Sequence, residues 1–71
     1  MPQFNPDEHY VDLGQRAGEA SRRGLGADSS HWSDFFRRCL AVEPDSERPR
    51  LERLYREAYS SAAARPVVYF R

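Results

Sequence analysis

The residues of this chain that could do chemistry are few, and their spacing decides what that chemistry could be. His31, Asp34 and Arg38 stand at i, i+3 and i+7, which would line an acid and a base along the polar face of one helix. Nothing beside them resembles a nucleophile with its base or an oxyanion hole, so the three read as an exposed ion-pair cluster. Cys39, His31 and His9 are the metal-capable types, but the chain holds neither a CxxC nor an HxxxH spacing. His31 lies two turns from Cys39 on the other face of the same helix, and His9 belongs to a different one. Cys39 therefore reads as a small buried hydrophobe, and no metal or cofactor is expected.

The stretch "GLGADSSHW" (24–32) feeds glycines into a helix start carrying two hydroxyl residues, the physical recipe for holding an anion on free backbone N–H groups. It lacks a preceding strand, a third glycine and a GKS or GKT ending, so its glycines read as a helix C-cap and a turn. With no catalytic constellation anywhere, the chain is expected not to be an enzyme.

Basic side chains raise the question of nucleic acid. Arg50, Arg53 and Arg56 fall on the outward side of a third helix, and Arg pairs occur at 22–23 and 37–38. All eleven basic residues are Arg and Ile is absent, a bias that a GC-rich genome explains without phosphate recognition. Glu47, Glu52 and Glu57 are interleaved with those arginines, and Glu52 with Arg56 and Arg53 with Glu57 are spaced as i,i+4 pairs. A footprint that spends its charge internally binds phosphate weakly, and the connecting loops read as longer than those of a helix-turn-helix. DNA binding through the third helix is thus the alternative reading and not the leading one.

The elements that must carry these residues are well marked. Asn5 can cap a first helix, with Pro6 at its first position and Glu8 completing a capping box. Tyr10, Leu13, Gly14, Ala17, Ala20 and Ser21 then share one face, with Asp12–Arg16 and Glu19–Arg23 as i,i+4 pairs on the other. Gly24 suits a left-handed C′ position, and Leu25 after it a Schellman motif. "GLGADSS" reads as a loop, with Ser29 or Ser30 capping a second helix on which Trp32, Phe35, Phe36, Cys39 and Leu40 form an apolar stripe. Pro44 ends that helix, and a third carries Leu51, Leu54, Tyr55, Ala58 and Ala62 on one face until Pro66 stops it. The thin face of the first helix and the large aromatics of the second predict that these two pack closely together.

Seventy-one residues make a single domain, and a core this small supplies only about 3–5 kcal/mol unless something supplements it. Nine aromatics make a fold feasible if most point inward. Net charge is zero, but residues 1–36 hold three Arg against six acids, and residues 37–71 hold eight Arg against five. Such a split favours self-association or a dipolar partner. One cysteine, no leader-like N-terminus and no long apolar run point to a cytoplasmic protein with no membrane contact.

The chain closes on "RPVVYFR", a β-branched and aromatic run after a proline that favours an extended segment. The expected architecture is all-α: a small three-helix domain, with helices over 6–23, 30–42 and 47–64 and an extended C-terminal segment over 66–71. The expected function is a non-enzymatic regulatory or inhibitory protein that binds a larger protein and forms a homodimer. Its contacts are read as Val67, Val68, Tyr69 and Phe70, with Val11 as an off-stripe apolar position and Arg50, Arg53 and Arg56 as a polar rim.

Overall fold

A computed structural model describes residues 5–64, which form three helices: α1 (Pro6–Arg22), α2 (Gly26–Ala41) and α3 (Arg48–Ala63). The three-helix reading holds, and the expected C-terminal segment over 66–71 lies outside the described residues. At its start, α1 has its N-cap Asn5 in extended conformation with the side chain accepting from the Asp7 N–H at 3.0 Å, and Pro6 supplies a preset φ. Its end is the Schellman motif expected: Leu25 N–H donates to the Ala20 carbonyl (2.8 Å), Gly24 N–H to that of Ser21 (3.0 Å). Gly24 sits at φ +77°, the left-handed conformation that glycine adopts without strain.

The second helix begins earlier than its serines indicate. Leu25 is the N-cap and offers no side-chain bond, while Ser29 and Ser30 are already inside the helix, with Ser29 N–H donating to Leu25 O at 2.9 Å. The reason is local: the Schellman turn closes within three residues of α1, and Gly26 and Ala27 continue directly into helical geometry. The connection is therefore short, which removes loop length as an objection to a helix-turn-helix at this joint. The α2–α3 joint is longer and is closed by Arg48. Its guanidinium donates to the carbonyls of Leu40 (3.3 Å) and Ala41 (3.2 Å) and also bonds Asp45. A cation thus satisfies the last carbonyls of α2 where its dipole is negative.

Pairing across the bundle sets its directions. Asp7 bonds Arg50, Gly14 meets Tyr55 and Ala58, and Gly18 meets Tyr59 and Ala62, so α1 and α3 run parallel. Tyr10 packs on Phe36 and Arg16 lies over Trp32, so α2 runs antiparallel to α1. The small-residue face of α1 therefore meets α3, not the aromatics of α2. A Cβ at Gly14 would lie 2.4 Å from the Tyr55 carbonyl oxygen, and one at Gly18 2.5 Å from that of Tyr59. The two backbones approach that closely because Gly14 and Gly18 face Ala58 and Ala62, one small residue per turn on each side.

The core is Tyr10, Leu13, Ala17, Phe36, Leu51 and Tyr55. Phe36, the single buried residue of α2, stacks on Tyr55 with ring centroids 3.8 Å apart and meets Tyr10 edge-on at 5.9 Å. It is the knob that joins α2 to the α1–α3 pair, and an edge and a face of it are each matched by another ring.

Candidate functional site

Because Phe36 alone is buried, the rest of the aromatic stripe of α2 is incompletely covered. Trp32, Cys39 and Leu40 pack partly against the core, and Phe35 is 38 % exposed. The apolar stripe read from the spacing is thus buried only at Phe36 and partly covered at Trp32, Cys39 and Leu40. Leu25 (46 %) and Val42 (83 %) are also exposed, so the exposed large hydrophobics among the described residues all sit on α2 or at its two caps. Helical spacing explains the division: Phe36 and Leu40 lie towards α3, while Trp32, Phe35, Cys39 and Val42 lie on the flank turned to α1 and solvent.

That flank is built up from α1. His9 meets the Phe35 ring edge-on at 6.2 Å, and Trp32 meets it at 6.3 Å. Arg16 holds its guanidinium carbon 5.3 Å from the Trp32 ring centroid and is itself fixed by Asp12 at 2.8 Å. A cation over an indole keeps the ring oriented while leaving its outer edge in solvent. The face is thus aromatic and pinned from below, with charged groups at its border.

Beneath it runs a polar tie. Tyr10 O–H donates to Glu43 Oε2 at 2.9 Å. Burial, then the hydrogen bond to the Glu43 carboxylate and its charge, push the Tyr10 phenol well above its ordinary value of 10.0. Burial and Glu43 likewise push the Cys39 thiol up from 9.0, which disfavours the reactive thiolate. Cys39 is half-buried, close to its reading as a small hydrophobe.

The residues read as an ion-pair cluster are not joined to one another. Asp34 pairs with Arg37 at 3.7 Å, His31 meets the Trp32 ring edge-on, and Arg38 makes no ion pair among the described residues. No group of three or more His, Cys, Asp or Glu side chains there could hold a metal ion. No helix among them is long and apolar enough to cross a membrane.

The proposed contact residues separate in space. Val67, Val68, Tyr69 and Phe70 lie outside the described residues. Val11 is half-buried and shares its flank of α1 with Asp7, Gly14 and Gly18, all of which meet α3, so it borders the α1–α3 seam and not the aromatic face. On α3, Arg50 is clamped between Glu47 (3.2 Å) and Asp7, which push its guanidinium pKa up, Glu47 first. Arg56 pairs with Glu52 at 2.6 Å. Arg53 is exposed, and the Arg53–Glu57 pair read from the spacing is not formed among the described residues.

Leu25, Phe35 and Val42 therefore stand out as a candidate surface, of which the sequence pattern had marked only Phe35. The signal was present in the sequence: positions 25, 28, 32, 35, 39 and 42, all apolar except Asp28, recur in alternating steps of three and four beside Phe36. Comparison with protein-family models, with curated proteins and with solved structures finds no match to this chain.

Proposed function

We propose that this chain is a non-enzymatic protein-binding module that self-associates and regulates or inhibits a larger protein by occupying part of its surface. The observation that supports this reading is the uncovered face of α2, where Leu25, Phe35 and Val42 are exposed around a half-covered Trp32. Aromatic anchors with a charged border are what interfaces most often use, and a bundle with one buried α2 side chain gains stability from a covering partner.

Sedimentation equilibrium over about 10 µM to about 1 mM tests the self-association. The expected mass rises from 8.2 kDa towards twice that value, and Phe35→Glu holds it at the monomer. A photo-crosslinking residue at 35 or 42, compared with one at 53 on the far side, tests the larger partner. Adducts from 35 and 42 to one defined protein other than a second copy of this chain, and none from 53, are expected.

The DNA-binding alternative draws no support from α3. Arg50 and Arg56 are engaged by Glu47, Asp7 and Glu52, so few phosphate contacts remain to be made.

A further inference from the structure

Six positions on the incompletely covered flank of α2 and at its caps, four exposed and two (Trp32 and Cys39) half-buried, are spaced symmetrically about its midpoint. Leu25 stands at the N-cap and Val42 at the C-cap, Trp32 and Phe35 flank the centre, and Asp28 and Cys39 lie between. A two-fold axis crossing α2 between residues 33 and 34 maps Leu25 onto Val42, Asp28 onto Cys39 and Trp32 onto Phe35. The steps between these six positions alternate three and four, the spacing of a helix–helix seam. Self-complementarity of this kind is what a two-fold interface requires, because one patch must serve both partners.

Charge agrees with the same axis. Asp28 in the first turn of α2 and Arg38 in its last are both exposed, and neither makes an ion pair among the described residues. Arg38 follows the seam beside Cys39, so antiparallel pairing brings the Arg38 of each copy alongside the Asp28 of the other. Parallel pairing would set like against like at both ends.

We propose that α2 pairs antiparallel with α2 of a second copy of this chain along the seam Leu25, Asp28, Trp32, Phe35, Cys39 and Val42, with two Asp28–Arg38 contacts across the axis. The seam is about 26 Å long at 1.5 Å per residue, and His9 of α1, edge-on to Phe35, widens it. This inference rests on the self-association proposed above and gives it a geometry.

Two single charge reversals test it in the full chain, with far-UV circular dichroism confirming helicity. Asp28→Arg alone sets Arg against Arg twice in a homodimer, and Arg38→Asp alone sets Asp against Asp twice, so each weakens dimerisation about tenfold. Mixing the two variants in equal amounts forms a heterodimer in which both contacts are complementary, and restores dimerisation to within about threefold of the parent. Phe35→Ser, which leaves the Phe36 core intact, also lowers the dimer population. A parent dimer indifferent to either reversal, or a mixture as weak as the single variants, overturns this seam while leaving self-association standing. A parent that stays monomeric at about 1 mM overturns both.

Discussion

Two neighbouring phenylalanines show how one residue step separates structure from surface. Phe36 is buried between Tyr10 and Tyr55, so Phe36→Ala should cost about 3–5 kcal/mol through lost burial and a cavity. Phe35 touches His9 and Trp32 from the outside, and Phe35→Ser should change monomer stability by less than about 1 kcal/mol in urea denaturation. A reversal of that order would place the core on the wrong side of α2. The buried Tyr10 phenol makes a second test. Its pKa is raised in the folded chain, so the neutral form is favoured there while the unfolded chain ionises near 10.0. The stability it contributes is complete below that pH and is lost as pH rises above it. Cys39 acts in the same sense from about 9.0 upward. Denaturation midpoints measured between pH 7 and pH 11 should fall across this window. Tyr10→Phe should flatten the upper part of the fall while costing about 1 kcal/mol at neutral pH for the lost bond to Glu43.

For the elements, the decisive contact is the glycine approach of α1 to α3. Gly14→Ala improves helix propensity by up to ~1 kcal/mol, but its methyl group would meet the Tyr55 carbonyl at 2.4 Å and Ala58 Cβ at 2.8 Å. Backbone on the far side cannot step aside cheaply, so overpacking wins and a net loss of about 1–3 kcal/mol is expected from thermal unfolding. Gly26→Ala, with open space around its position, is the control and should be neutral or stabilising. The elements were mostly legible beforehand, and for definite reasons. The Asn5 cap and the Gly24 stop are local devices readable from neighbouring residues alone. The start of α2 was not, because its two serines satisfy the cap preference equally well in a helix that has already begun at Gly26. Arg48 was also missed: its role depends on carbonyls of Leu40 and Ala41 that only the return of the chain brings near.

At the scale of the molecule, the described residues form a parallel α1–α3 pair to which α2 is attached through Phe36, the Tyr10–Glu43 bond and the Arg48 clamp. Few buried side chains hold α2, so its amide protons should exchange faster than those of α1 and α3 in native-state hydrogen exchange. Dimerisation along α2 should slow them selectively as concentration rises; equal slowing in all three helices would argue against a contact on α2. The sequence by itself determined the helix count among the described residues, both caps of α1 and most of the buried faces of α1 and α3, since periodicity and capping act within a few residues. It also carried the α2 seam, but two overlapping apolar stripes on one helix cannot be ranked without knowing where the neighbouring helices stand. Only the tertiary structure decided that Gly14 and Gly18 admit α3 and not α2. Small residues specify close approach without specifying the partner, and that choice turned Phe36 inward and left Phe35 and Val42 in solvent.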